Sequence, residues 1–145
     1  MRLYFDTAYV AKCYVNENDG ARVRELARGA RGLSTSAWCR AEIACVFHRH
    51  LREGALTPAQ VRILSRMFQD DVDHGVWDLV PVSEGLWHSV ADRVSRLPRA
   101  MYIRSGDALH LVSALTAGFT EIWSNDRHLL AAAPHFGLVG RTVSG

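Results

Sequence analysis

The chain has 145 residues, 48% of them apolar, and its 17 Lys and Arg side chains stand against 15 Asp and Glu. This length and apolar fraction are typical of one domain with a core of its own, so we expect a single domain over residues 1–145. No apolar run approaches the length that spans a bilayer, and no basic-then-apolar leader opens the chain. We therefore expect a cytoplasmic protein without a membrane partner.

The first half of the chain alternates strand and helix patterns. Leu3–Phe5 is a short apolar run that predicts a strand, and Asp6 ends it and can cap the helix that follows. Three further elements are predicted before residue 55: a helix from Asp19–Gly20 to about Gly29, a strand over Leu33–Ser36 and a helix from Ala37 to Glu53 closed by Gly54. Thr57, Pro58 and Gln60 then supply a capping hydroxyl, a first-turn proline and a capping-box glutamine, which predict another helix start.

The second half continues the same alternation. Its predicted elements are a strand over Trp77–Val82, a helix from Ser83 to about Leu97, a helix from Asp107 to Gly118, a strand over Glu121–Ser124, a short helix starting at Asn125–Asp126 and a last strand over Gly137–Gly140. The helix from Asp107 is apolar on nearly every side, so we expect it to pack on several faces, with Ser105 as its N-cap.

Strands separated by helical stretches predict an α/β fold with a parallel sheet that is covered on both faces. In such sheets, ligands bind outside the carboxyl ends of the strands. Asp6 and Asp126 each directly follow a predicted strand. Both acids are therefore candidates for a site at this edge of the sheet.

Four acids are candidates for that site, and they differ in how easily a structural role explains them. Asp6, Asp107 and Asp126 each stand at a predicted helix start, where a carboxylate commonly caps the helix. Glu42 instead lies within an apolar helical stripe, where a carboxylate is costly unless it is paired or bound to metal. An ion pair with Arg49 is the structural alternative for Glu42.

Clustered carboxylates repel one another, and a hard divalent cation relieves that repulsion. Magnesium and manganese prefer oxygen ligands, and a pair of such ions can activate water for attack on phosphorus. No H-E-x-x-H motif occurs, and His48 and His50 are two residues apart, so they point away from each other on a helix. His110 is expected to be a hydrogen-bonded core residue.

Three cysteines, Cys13, Cys39 and Cys45, form no C-x-x-C motif, and each follows a helical pattern beside apolar residues. We expect all three to be buried free thiols.

The cationic side chains are sixteen arginines and the single Lys12. An arginine side chain can form two hydrogen bonds to one phosphate group. The large number of arginines can equally reflect genomic base composition. If four acids were neutralised together by metal, 17 cationic side chains would face 11 acidic ones, a net charge of +6. Such a surface suits a polyanionic partner.

Four motifs together resemble the PIN-domain ribonucleases, specifically the VapC toxins of type II toxin–antitoxin pairs. They are Tyr4-Phe5-Asp6-Thr7-Ala8-Tyr9-Val10, Ser36-x5-Glu42, the Arg104-x2-Asp107-Ala-Leu-His-Leu-Val-Ser-Ala block and Ser124-Asn125-Asp126-x2-Leu-Leu. Their order and approximate spacing match over nearly the whole chain, and the Asp-Ala-Leu-His-Leu segment is the most specific part.

The resemblance implies a three-layer α/β/α PIN-like domain with a central parallel sheet, a homodimer and RNA cleavage that depends on Mg²⁺ or Mn²⁺. It also implies neutralisation by a cognate antitoxin that inserts near the active site. Carried over position by position, the catalytic and metal-binding residues are Asp6, Glu42, Asp107 and Asp126. The substrate-positioning residues would be Thr7, Arg104 and Ser124.

Two of these assignments leave alternatives open. Ser124 stands where the family commonly has threonine in a T-x-D pattern, and Arg104 could instead form an ion pair with one of the acids. The helix pair around Gly54 resembles the segment that grips the antitoxin, and its apolar face could also be core or dimer contact.

Other classes of protein fit the sequence less well. A non-cleaving PIN-like domain that binds RNA or protein is the main alternative, and the presence of all four acids argues against it. A phosphoryl-receiver domain needs a lysine at the end of a late strand, whereas Lys12 lies in the first helix. A dinucleotide-binding module needs G-x-G-x-x-G after the first strand, where this chain has Asp6.

Overall fold

The structure is a computed structural model, and it describes residues 1–144. Its elements in chain order are β1 (Arg2–Tyr4), α1 (Thr7–Lys12), α2 (Gly20–Arg28), β2 (Gly32–Ser36), α3 (Cys39–Arg52), α4 (Pro58–Asp73), β3 (Trp77–Val80), α5 (Glu84–Ser95), α6 (Ser105–Thr116), β4 (Glu121–Trp123), α7 (Arg127–Ala132), a 3-10 helix (Ala133–Phe136) and β5 (Val139–Arg141).

The sheet is parallel throughout the described strand pairs. Strands β1, β2 and β3 form a central three-stranded sheet with β2 in the middle, and β4 pairs with β5. A parallel bridge between Phe5 and Trp123 joins the end of β1 to β4. The carboxyl ends of the strands therefore follow one another along one edge in the order β3, β2, β1, β4, β5. This arrangement confirms the predicted α/β fold with a central parallel sheet.

Alternation along β1 shows how the helices cover both faces of the sheet. Tyr4 packs into one hydrophobic cluster with Leu109 and Val112 of α6, whereas Leu3 and Phe5 pack into another cluster on the opposite face. Both clusters are buried, which makes the fold three-layered.

Helix α6 is the most deeply buried helical segment of this core. Every residue from Asp107 to Ala114 is buried, as the apolar character of its sequence predicts. Across residues 1–144, no helix combines the length and apolarity needed to cross a membrane.

Four helices begin at capping residues that the sequence indicates. Side chains of Asp6, Thr57, Ser83 and Asp126 each accept a backbone N–H from the first turn that follows. At Thr57 the capping box is complete, because the Gln60 side chain also accepts the Thr57 N–H at 2.8 Å. Local chemistry thus determines these helix starts.

Some predicted boundaries are wrong for local reasons. Helix α6 begins at Ser105 with Arg104 as N-cap, because the Asp107 carboxylate accepts the backbone N–H of Arg104 at 3.4 Å. Strand β3 ends at Val80 rather than Val82, because Pro81 has no N–H to continue the ladder. Helix α3 begins two residues after Ala37, at Cys39.

The prediction that all three cysteines are buried is confirmed for Cys39, is wrong for Cys45 and is only partly met by Cys13. Cys39 is buried, Cys13 is half-buried and Cys45 is exposed, and all three are free thiols. The core-facing stripe of α3 runs through Cys39, Ile43 and Phe47, which are spaced four residues apart. Cys45 lies outside that stripe, on the side of α3 that borders an open cavity.

We predict that a thiol reagent such as 5,5′-dithiobis(2-nitrobenzoate) modifies one cysteine rapidly in the folded protein and three after unfolding. Burial raises the pKa of the Cys39 thiol to about 12 and that of Cys13 to about 11, so at about pH 8 neither supplies much reactive thiolate. The rate and number of thiols released are read by absorbance.

The variant Cys45→Ser provides the control, because it should lose the rapid phase and keep the two slow thiols. Rapid modification of either remaining thiol in the folded Cys45→Ser protein would contradict the burial pattern.

Candidate active site

The four predicted acids line one cavity of about 430 Å³ at the carboxyl edge of the sheet. Asp6 follows β1, Glu42 projects from the first turn of α3, Asp107 lies in the first turn of α6 and Asp126 precedes α7. The structure therefore brings together side chains separated by up to 120 residues of sequence. The cavity also contains Thr7, Arg104, Arg49 and His110.

Asp6 is the most enclosed of the four carboxylates, with only 5% of the residue exposed. Its Oδ1 accepts the backbone N–H of Tyr9 at 3.0 Å, and its Oδ2 accepts the Ser124 hydroxyl at 2.5 Å. Burial raises the pKa of Asp6, and the hydrogen bond from Ser124 only partly opposes this effect. A cation near Asp6 would act in the opposite direction, because it favours the ionised carboxylate.

Glu42 is held by two groups from other elements. Its Oε1 accepts the Thr7 hydroxyl at 2.8 Å and lies 2.7 Å from Nε2 of His110. Burial acts to raise the pKa of Glu42, but these hydrogen bonds outweigh it, so the pKa lies below its ordinary value. Glu42 is thus an ionised carboxylate at neutral pH that remains partly open to the cavity, since 29% of its side chain is exposed.

His110 connects this carboxylate to the core of the domain. Its Nδ1 lies 2.8 Å from the Tyr4 hydroxyl, and burial raises the pKa of that phenol well above its usual range. The ionised Glu42 carboxylate can only accept, so His110 donates its Nε2–H to it, and in the neutral imidazole Nδ1 then accepts the Tyr4 hydroxyl. These two successive hydrogen bonds, from Tyr4 to His110 and from His110 to Glu42, connect the Glu42 carboxylate to the buried core and fix its position.

Arg104 bridges the other two acids. Its Nε donates to Asp107 at 3.1 Å, and its Nη2 contacts the carboxylate of Asp126. For Asp126, burial acts to raise the pKa, but backbone N–H groups of Leu129 and His128 together with Arg104 lower it overall. The guanidinium therefore supplies one positive charge between two carboxylates.

Ser124 lies between two of the acids and orients both. Its hydroxyl donates to Asp6 and its oxygen accepts the backbone N–H of Asp126 at 2.9 Å. The residue is fully buried. These contacts show what the hydroxyl does in this structure, while the substrate-positioning roles of Thr7, Arg104 and Ser124 stay predictions.

The contact between His110 and Glu42 was not predicted from the sequence. Among residues 1–144, Glu42 is hydrogen-bonded to His110 and Thr7 and not to Arg49, the partner considered from sequence. A signal for this contact was present, because Arg104, Asp107 and His110 are spaced three residues apart. That spacing places them on one face of a helix.

The donor set fits a hard divalent cation. All four acids offer carboxylate oxygens, which are the ligands that magnesium and manganese prefer, and Asp107 and Asp126 already share one positive charge from Arg104. Within the described part of the chain, no three His, Cys, Asp or Glu side chains converge closely enough to form a finished metal site. The Arg104 side chain is 53% exposed, so it reaches the carboxylates of Asp107 and Asp126 from the solvent side.

Comparison with known proteins identifies the family of this fold. The sequence model of the PIN domain matches residues 3–134, which confirms the resemblance seen in the motifs. One chain of the crystal structure of VapBC2 from Rickettsia felis, bound to a DNA fragment from their promoter, aligns with a TM-score of 0.68. That alignment has 14% sequence identity and covers 98% of each chain, so it shows a shared fold. The search of curated proteins gave no match.

We predict that Asp6→Asn unfolds at a higher temperature than the wild type when both are kept in chelator at neutral pH. Burial raises the pKa of Asp6, so the folded state binds the proton more tightly than the unfolded state. Stability therefore falls as pH rises from the ordinary aspartate pKa towards the raised value, and the neutral Asn avoids this loss. A gain of about 1 kcal/mol corresponds to about 2–4 °C in Tm for a chain of this size.

Thermal unfolding followed by circular dichroism from about pH 3 to about pH 8 checks this prediction. The Tm difference should vanish at the acidic end and widen as pH rises. Asp92→Asn, which removes an exposed carboxylate paired with Arg96, is the matched control and should show no widening gain. A Tm of Asp6→Asn below the wild type throughout would contradict the prediction.

We also predict that Arg104→Gln binds Mn²⁺ more tightly than the wild type in the absence of nucleic acid. Removing the guanidinium leaves Asp107 and Asp126 without their shared cation, so the cavity becomes more negative. The expected gain is about 5-fold in Kd, equivalent to about 1 kcal/mol. Isothermal titration calorimetry measures it.

Arg96→Gln, which removes an exposed arginine paired with Asp92, is the control and should leave the Kd unchanged. Weaker Mn²⁺ binding by Arg104→Gln would show that the arginine supports the cation site instead of competing with it.

Proposed function

The chain belongs to the PIN domain family, and from that premise we propose that it is a metal-dependent endoribonuclease, the toxin of a VapC-type toxin–antitoxin pair. The observation that carries this proposal is the meeting of Asp6, Glu42, Asp107 and Asp126 in one cavity at the carboxyl edge of the sheet. The reaction class is hydrolysis, in which water attacks the phosphodiester phosphorus in line with the departing ribose oxygen.

In this proposal the four carboxylates hold one or two Mg²⁺ or Mn²⁺ ions. Such ions, when bound, activate the attacking water and neutralise charge on the phosphate and the departing oxygen. The chain contributes prearranged ligands, since Ser124 orients Asp6 and Asp126 while His110 and Thr7 orient Glu42. Preset ligands of this kind reduce the ordering that metal binding requires.

The protonation states of the acids match this role. The pKa values of Glu42 and Asp126 are held below their ordinary values, so both are ionised before a cation arrives. Asp6 has a raised pKa, so binding a cation there releases whatever proton it carries. Metal binding is therefore expected to strengthen as pH rises above the ordinary pKa of an aspartate.

Two arginines could bind the substrate phosphates. Arg104 and Arg49 both border the cavity, and a guanidinium pairs bidentately with phosphate oxygens. If Arg104 swings from the carboxylates when metal binds, its charge becomes available to the RNA backbone. Arg104 would then pair with the carboxylates before metal binds and with the RNA backbone afterwards.

The proposal also includes two binding partners, a cognate antitoxin and a second copy of the chain. Helix α4 exposes the apolar side chains of Ile63 and Met67, at 58% and 47% of the residue, beside Arg62 and Arg66. Exposed aliphatic side chains of this kind are typical of protein contacts. The similarity to the VapBC2 assembly supports an antitoxin as one occupant of such a surface.

We predict that the purified chain cleaves RNA in Mg²⁺ and not in excess chelator, and that Asp107→Asn and Asp126→Asn each cut at least about 100-fold more slowly. Each substitution removes a carboxylate oxygen from the proposed ligand set while leaving the side-chain shape unchanged. Gel electrophoresis of a labelled RNA pool gives the rates, and Asp6→Asn is tested in parallel.

Asp92→Asn serves as the control, because its carboxylate is exposed on α5 and pairs with Arg96. Equal cleavage in chelator and in Mg²⁺ would indicate a contaminant or a metal-free mechanism. Binding of RNA by the folded wild type without cleavage in either metal would favour a non-cleaving PIN-like domain.

A further inference from the structure

Two tryptophan side chains pack against each other on the exposed surface, and one of them lines the acidic cavity. Trp38 is 43% exposed and lines the cavity itself, and Trp87 is 41% exposed. Their ring centroids are 6.2 Å apart with the planes at 81°, an edge-to-face pair. Large aromatic rings left open to solvent beside a functional cavity indicate a binding surface.

Both rings are attached to rigid parts of the sheet edge. The Trp38 backbone N–H donates to the Ser36 hydroxyl at 3.1 Å, directly after the end of β2. Trp87 lies in the first turn of α5, where its backbone N–H donates to the Ser83 carbonyl at 3.1 Å. The backbone at both positions is therefore fixed, and the two rings contact each other edge to face, which reduces the ordering that a flat ligand would require.

The topology sets the order of groups along this edge. Trp87 follows β3, Trp38 follows β2, Asp6 follows β1 and Asp126 follows β4, which is also the spatial order of these strands. Trp38 and Trp87 thus lie to one side of the acids. A ligand that reaches from the carboxylates to the indoles must run along the edge of the sheet.

A second aromatic pair follows Asp126 on the other side. The ring of His128 contacts that of Tyr102 with centroids 4.4 Å apart and the planes tilted by 50°, and Tyr102 is 55% exposed. Aromatic surfaces therefore flank the acids in both directions. This order of aromatic, acidic and aromatic groups matches the alternation of bases and phosphates along a single nucleic-acid strand.

We propose that Trp38 and Trp87 form a stacking site for an unpaired base next to the phosphate that is cut. The inference deepens the proposed function and rests on it, because the acidic cavity defines where that phosphate lies. Bases within a duplex are already stacked on their neighbours, so only an unpaired base can use this surface.

The surroundings of the indole pair favour a nucleotide over a protein partner. The cavity that Trp38 borders contains Glu42, Arg49 and Arg104, so the flat apolar rings lie beside groups that suit metal and phosphate. The aliphatic surface of α4, by contrast, offers Ile63 and Met67 away from the acids. The two exposed surfaces therefore have different chemistry and suit different partners.

The first test measures binding apart from cleavage. A fluorescent single-stranded RNA of roughly twelve nucleotides is titrated in Ca²⁺ in place of Mg²⁺, with gels confirming that it stays intact. We expect Trp38→Leu and Trp87→Leu to weaken binding by about 5- to 100-fold, whereas Trp38→Phe keeps most of the affinity because a phenyl ring still stacks. Val76→Ala, an exposed apolar change just before β3 and away from the carboxyl edge of the sheet, should have no effect.

The second test separates stacking from a structural role of the indoles. An abasic site is moved one position at a time through the oligonucleotide, and binding is measured with wild type and with Trp38→Leu. At one position beside the scissile phosphate, the abasic change should weaken wild-type binding and leave Trp38→Leu unaffected, a non-additive pair. A fully paired duplex should bind wild type and Trp38→Leu equally.

The outcomes distinguish failure of this inference from failure of the proposed function. Cleavage of RNA by the wild type in Mg²⁺ tests the proposed function. If the wild type cleaves and Trp38→Leu binds and cleaves RNA equally well, the stacking site is overturned and the proposed function is not. If wild type does not cleave but binds single strands in the Trp38-dependent, non-additive way, the site stands and the function falls.

Two further outcomes would also overturn the inference. Additive losses from the abasic and Trp38→Leu changes would mean that the indole does not contact a base. A change of molecular mass on light scattering of Trp38→Leu would assign the indole pair to contact between copies of the chain. Circular dichroism and Tm of each variant confirm that it is folded before binding is measured.

Discussion

The burial of negative charge at one edge of the sheet is the constraint on which the rest of this structure depends. An unpaired carboxylate in a low-dielectric site is costly, and each acid here has a donor: Asp107 pairs with Arg104 at the start of its own helix, and the other three have donors from different elements. Ser124 after β4 supports Asp6 after β1, His110 of α6 supports Glu42 of α3, and Arg104 joins Asp107 to Asp126. These contacts join distant parts of the chain at the same place where the cavity opens.

The hydrogen bonds that shape the cavity continue into the core. Tyr4 is fully buried on β1, yet its hydroxyl reaches His110, which in turn reaches Glu42 at the cavity. A change in the packing around Tyr4 would therefore alter the orientation of a proposed metal ligand. The site and the core share residues, so stability and function in this domain are coupled through specific bonds.

Much of the local structure followed from short sequence patterns. The caps at Asp6, Thr57, Ser83 and Asp126 depend on side chains that reach backbone groups two or three residues away, so sequence neighbours contain the whole interaction. The exposure of Cys45 was not predictable in this way. Helical periodicity places Cys45 on one face of α3, but which face meets the core depends on how α3 packs against its neighbours.

The sequence by itself determined the alternation of strands and helices, the identity of the four candidate acids and the PIN-domain family. The reason is that motifs are defined by the order of residues along the chain, and helix caps depend on residues that are close together in sequence. Only the tertiary structure decided that His110 donates to Glu42, that Arg104 lies between Asp107 and Asp126, and that two indoles lie beside the cavity. Those contacts join residues far apart in sequence. Their distances depend on strand order and helix packing, which no single segment encodes.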